Sequence, residues 1–163
     1  MKNFLCLAGV MLLTVWVVAA QNVDRPRYTK TPSGYLMVLR QSDDVFKEIE
    51  KMVVAEQIPS ASLTGMGFVH ARFGFFDFKT KEYKPRDFKD VEMASMTGSV
   101  AWQDGKVSLH LHGVVTGDNF QAFGGHLLAA TVGTGSLEVM VVLHDRKLER
   151  KMEQPLGANV LQL

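Results

Sequence analysis

The chain has 163 residues, 47% of them hydrophobic, with 18 Lys and Arg against 17 Asp and Glu. A formal net charge of +1 argues against the basic surface of an ordinary nucleic-acid binder, and a single cysteine excludes an internal disulfide framework. That residue, Cys6, stands inside the first apolar run, so no later segment can offer a thiol nucleophile or a thiolate metal ligand.

Residues 1–20 read as an export signal: Lys2 gives a positive start, 4–18 are almost wholly apolar, and Val18-Ala19-Ala20 places small residues before Gln21. Cleavage after Ala20 would leave about 140 residues, enough for one domain with its own core, in the periplasm or the medium and without a stable membrane anchor. An uncleaved anchor is the alternative, since the run falls only slightly short of the roughly 20 residues of a spanning helix. Without Lys2 the exported form carries 17 basic and 17 acidic residues. Residues 21–33, polar and holding Pro26 and Pro32, are expected as a flexible leader, with the domain over 34–163.

The segment 34–40 reads as the first strand. Ser42 offers an N-cap, with Asp43 and Asp44 in the first turn, where the helix dipole favours negative charge. Val45, Ile49, Met52 and Val53 recur at helical spacing and predict one amphipathic helix over 43–56, closed by Pro59. Thereafter 61–68, 69–78, 83–88, 91–102, 106–115, 126–131 and 136–145 are rich in β-branched and aromatic residues and read as strands. Asp104-Gly105 is a strong hairpin signal, because a type I′ turn needs two positive-φ positions. The expectation is an α+β domain: one main helix and about seven strands of mixed or antiparallel sheet.

Three of the five histidines fall in one strand-turn-strand unit: His110 and His112, then His126 after Gly124-Gly125. In a strand, residues two apart share a face, so His110 and His112 project together while Leu109 and Leu111 take the opposite side. Three imidazoles with an open fourth position suit a zinc-like ion. Spacing alone equally supports a solvated strand face. Asp118 could add a carboxylate or serve a turn.

Glu138 interrupts an apolar run, 136–143, and must meet a histidine, an arginine, a metal, a neighbouring subunit or water. His70 with Arg72 reads as a solvated or interface pair, and His144-Asp145, being adjacent in a strand, point to opposite faces. Gly65-x-Gly67 and Gly133-x-Gly135 lack the context of a phosphate loop and suit turns and bulges. Arg146-Lys147 and Arg150-Lys151 read as a small solvated basic tail. Phe73, Phe75, Phe76 and Phe78 call either for dense packing or for a subunit contact.

Taken in order, Gly74-Phe75-Phe76-Asp77, Thr80-Lys81-Glu82-Tyr83, Met96-Thr97-Gly98-Ser99, His110-Leu111-His112 and Phe123-Gly124-Gly125-His126-Leu127 resemble the plant and prokaryote conserved domain, PPC, in its stand-alone prokaryotic form. The resemblance runs from about Gly34 to Leu163 and implies a homotrimer. It also implies that His110, His112 and His126 ligate zinc or another divalent transition metal near a subunit boundary. If the protein is an enzyme acting on a small molecule, Glu138 is the candidate base. The alternative function is a non-catalytic module binding DNA or protein. DNA comes from the resemblance, against an export signal and an even charge balance.

Overall fold

The structure, a computed structural model, describes residues 26–163. The expected export signal and the first part of the leader, 21–25, lie outside the described residues. Eight strands and one helix follow in chain order: β1 (Tyr28–Thr31), β2 (Gly34–Arg40), α1 (Val45–Ala55), β3 (Ala61–Asp77), β4 (Glu82–Gln103), β5 (Lys106–Thr116), β6 (Ala122–Leu143), β7 (Glu149–Glu153) and β8 (Ala158–Gln162). The domain is thus mostly β-sheet with one helix.

Alternation dictates β2: Tyr35, Met37 and Leu39 are buried, and the strand pairs with β1 on one side and β6 on the other. The segment expected as a loose leader therefore contributes a strand from Tyr28 onward. Its order comes from a hairpin with the adjacent β2 and from the Glu56 carboxylate, to which Tyr28 Oη donates at 2.9 Å. Local composition carries no sign of either.

Helix α1 buries Val45, Ile49, Met52 and Val53, the four residues whose spacing predicts its inner face. Its cap is Asp44, whose carboxylate accepts from the Lys47 N–H at 3.2 Å. Ser42 is not the cap, because it takes a left-handed turn conformation, φ 72°, two residues too early.

The segments 61–68 and 69–78 merge into one strand that ends at Asp77, 83–88 and 91–102 merge into β4, and 126–131 and 136–145 merge into one that ends at Leu143. Glycines break the local pattern in β3 and β6, and Lys89-Asp90, with Asp90 at φ 51°, breaks it in β4, without ending the hydrogen-bond ladder. The β3–β6 register shifts between Gly67 and Val69, where residues 133–136 of β6 have no partner on β3. Merging shortens the expected strand list. The unexpected β1 and the β7–β8 hairpin, which occupies the supposed basic tail, lengthen it to eight.

β3 pairs with both β4 and β6, and β5 also pairs with both, so these four strands close a ring of pairings. The core lies between this sheet and α1, with Met37, Ile49, Leu63, Met96, Leu111 and Leu137 among its fully buried side chains. Asp104 and Gly105, both at positive φ, make the tight β4–β5 turn. That turn fixes the register of the histidine strand.

Gly98 lies opposite Leu111 in that ladder. A Cβ there would collide with the His110 carbonyl oxygen and stand 2.6 Å from Leu111 Cδ2. Gly98→Ala is therefore expected to cost about 1–3 kcal/mol by overpacking, read as a Tm lower by roughly 3–12 °C in thermal melts. Gly105→Asn, in open space at a φ that asparagine tolerates, should leave Tm within about 2 °C of the parent.

Candidate metal centre

Register builds the site. His112 of β5 stands directly opposite His126 of β6, and cross-strand partners share a sheet face. His110, two residues along β5, falls on that same face. On the other face Leu111 and Leu127 are buried in the core, which forces the three imidazoles outward together. Their ring centroids lie 5.1, 5.0 and 5.2 Å apart.

One candidate ligand atom from each ring lies within 4.8 Å of the other two. The Nε2 atoms of His110 and His112 are 3.2 Å apart. A tetrahedral zinc ion with Zn–N of about 2.05 Å has an N···N edge of about 3.3 Å, so this pair already has ligand spacing. His126 needs only a small ring movement. Its ring is held from behind by Tyr83, stacked at 4.9 Å with the planes 17° apart, and Tyr83 in turn meets Phe76 at 5.2 Å.

Beside the rings opens a cavity of about 640 Å³, bounded by Phe76, Phe78, Tyr83, His110, His126 and Arg150 among others. Arg150 of β7 is buried. Its Nη1 donates to the Ser108 carbonyl at 2.5 Å and to Ser108 Oγ at 3.2 Å, and its Nη2 donates to Ser99 Oγ at 2.7 Å. Among the described residues none of the ion pairs involves it.

Desolvation in the cavity, followed by the nearby His110 and His112, pushes the His126 imidazole down to about 4. Desolvation also lowers His110, with His112 and Arg150 adding to the effect. Both effects favour neutral imidazole, the form that ligates a metal.

Glu138 stands elsewhere. It is exposed and pairs in register with Met66 of β3 and Val38 of β2, whereas the β3 partner of His126 is Gly74. Those β3 positions are roughly 25 Å apart at ~3.3 Å per residue, so Glu138 could reach the histidines only from another copy of the chain. Asp118 lies in the exposed β5–β6 turn and outside the cluster. Arg72 forms a two-pronged ion pair with Asp87, His70 Nδ1 accepts from the Asp90 N–H, and His144 sits between Ser60 and Ser62. None of these joins the site. Sequence reasoning missed Tyr83 and Arg150. The arginine's only signal is its place between Leu148 and Met152 in a short alternating run.

Residues 27–144 match the model of the Plants and Prokaryotes Conserved (PCC) domain. A solved structure from Ralstonia eutropha is 51% identical, covering 84% of this chain and 96% of that one with a TM-score of 0.82. A second, from Bacteroides thetaiotaomicron, is 27% identical over 83% of this chain and 95% of its own, TM-score 0.77. Both are named "putative DNA-binding protein". A third, from Archaeoglobus fulgidus, is called a metal-containing protein; it is 28% identical over 78% of this chain and 91% of its own, TM-score 0.72. No curated protein matches the chain.

Because the folded state holds His126 below its ordinary 6.5, at about 4, the unfolded chain binds the extra proton first as pH falls. Metal-free protein should therefore lose stability progressively from about pH 6.5 toward pH 4. His126→Gln should flatten that slope in thermal melts run with chelator present.

Proposed function

This chain belongs to the Plants and Prokaryotes Conserved (PCC) domain family, and from that premise we propose that it is an exported, homotrimeric protein holding a zinc-like divalent ion through His110, His112 and His126. The observation that carries the reading is the convergence of three imidazoles from two paired strands, with ligand atoms within 4.8 Å of one another. A nitrogen-only donor set on a preformed sheet face suits zinc, and the metal-containing relative from Archaeoglobus fulgidus favours the same conclusion. A bound ion with an open fourth position would act as a Lewis acid on a small ligand. The chain's own part is to hold the rings in register, to brace His126 with Tyr83, and to wall off water with Phe76 and Phe78.

Assembly finds support in the outer face of β3 and β6. Met66, Phe68, Met140 and Val142 are all exposed there, a row of apolar side chains that a second and third copy would cover. Glu138 lies in this row. Any part it plays as a base would come across a subunit contact. Export rests on residues 1–20 and places the protein in the periplasm or outside the cell.

A second reading, a DNA-binding module, is favoured by the names of the Ralstonia and Bacteroides relatives. It would show as retention of DNA fragments at low salt, lost steeply between about 50 and 200 mM. No retention at low salt would reject it.

Purification without a metal-affinity step, followed by elemental analysis, should find one divalent ion per subunit. His112→Ala and His126→Ala should each weaken zinc binding by at least roughly 100-fold, more than the loss of an outer-shell partner, and chelation should lower Tm. Protein that carries no stoichiometric metal, with histidine variants indistinguishable from the parent, would overturn the reading. Solution mass should correspond to three subunits, and Met66→Glu combined with Phe68→Asp should yield monomer.

A further inference from the structure

Arg150 is 5% exposed, yet every acceptor it meets is neutral: the carbonyl and hydroxyl oxygens of Ser108 and of Ser99. Among the described residues its Nε makes no hydrogen bond. A guanidinium stays charged in any protein setting, and burying one without a counter-charge is unfavourable. Such a group persists where something anionic completes it. The residue lines the same cavity as His110 and His126, and among the described residues no aspartate or glutamate stands in its wall. Its field reaches the histidines, since it helps to lower His110. Apart from Ser108, Asn159 and the Tyr83 hydroxyl the rest of the wall is largely apolar, with Phe78, Met152 and Leu156 exposed toward solvent at the cavity. A volume of about 640 Å³ is that of a small-molecule site.

We propose that this cavity binds a small organic carboxylate with an aromatic or branched apolar body, its carboxylate held by Arg150 beside the three histidines and its body against Phe76, Phe78 and Met152. The fork of a guanidinium matches the two oxygens of a carboxylate, and its place next to the histidines lets one carboxylate face both the arginine and the ion. The apolar wall selects a singly charged ligand with a hydrophobic body over a small, strongly hydrated ion. This deepens the metal reading and rests on it only for the ion's share of the contact. The arginine and the wall belong to the chain alone.

Titration calorimetry of the purified chain with benzoate, in metal-free and zinc-loaded forms, tests the site. Benzoate should bind once per subunit, more tightly with zinc, and at least tenfold more tightly than its neutral isostere benzamide or than inorganic phosphate. Arg150→Met should weaken benzoate at least tenfold, with Arg150→Lys intermediate. Because Arg150 also bridges β4 and β5, the methionine variant could fail to fold. The benzoate to benzamide ratio on the parent protein then decides alone. A ratio near one, or tighter phosphate, overturns the proposal even if zinc binds. So does a silent titration, as expected if a carboxylate from a neighbouring copy already occupies Arg150. Benzoate binding that depends on Arg150 in a protein that takes up no metal upholds the proposal and discards the metal reading.

Discussion

The pairing of β5 with β6 is the constraint from which the rest of the site follows. A slip of one residue in that ladder would send His126 to the opposite face and leave His112 facing nothing. Burial prevents the slip. Leu111 and Val115 of β5 and Leu127 of β6 are locked in the core, and a shifted strand would bring histidine inward and leucine outward, exchanging favourable burial for desolvated imidazole. The Asp104–Gly105 turn sets β5 against β4, and the bulges of β3 and β6 absorb the bend that lets four strands close their ring. Ligand geometry is thus a by-product of core packing on the reverse side of the same strands.

A second consequence is electrostatic. Two of the three rings are held neutral by desolvation and by one another, while the nearby arginine keeps its charge through hydrogen bonds to serine oxygens alone. Neutral imidazoles give an incoming cation no charge compensation, and Arg150 adds to the positive potential. In a partly dry cavity that potential is screened less than at the surface. An anion sharing the site would offset the positive charge of a cation bound there through neutral ligands. The apolar wall confines where that anion can lie.

Much of this could be read in the chain, and the part that could not has physical reasons. β2 coincides with its predicted span, the inner face of α1 is the one its periodicity predicts, and the Asp104–Gly105 hairpin follows from turn chemistry, because each of these rests on local preference. The shared face of His110 and His112 needs only the strand period. His126 opposite His112 needed a register, which composition does not encode, although the family resemblance implied the trio. The continuity of β3 and β6 was hidden because glycine lowers strand propensity, and that of β4 because Lys89-Asp90 reads as a turn, whereas a ladder flanked on both sides tolerates a bulge. β1 and the β7–β8 hairpin escaped for a different reason. β1 and β7 are polar or charged in sequence, and each is ordered by hairpin pairing together with a distant anchor, Glu56 for Tyr28 and Trp102 for Glu149. Arg150 looked like any surface cation until β7 carried it across Ser99 and Ser108.

The long strands also tie the site to the outer apolar row. β3 runs from Met66 and Phe68 to Gly74, and β6 runs from Met140 back to His126, so the two elements that expose the row are those that position one ligand and the partner of its brace, Tyr83. Covering the row would restrain the bulges between its two ends, where residues 133–136 leave the ladder. Restraint there narrows the angles at which β6 can present His126 to β5. In a fold built this way, subunit association would draw on the same two strands as ligand convergence, and the site near one end of β6 would depend on what covers the other end of the sheet.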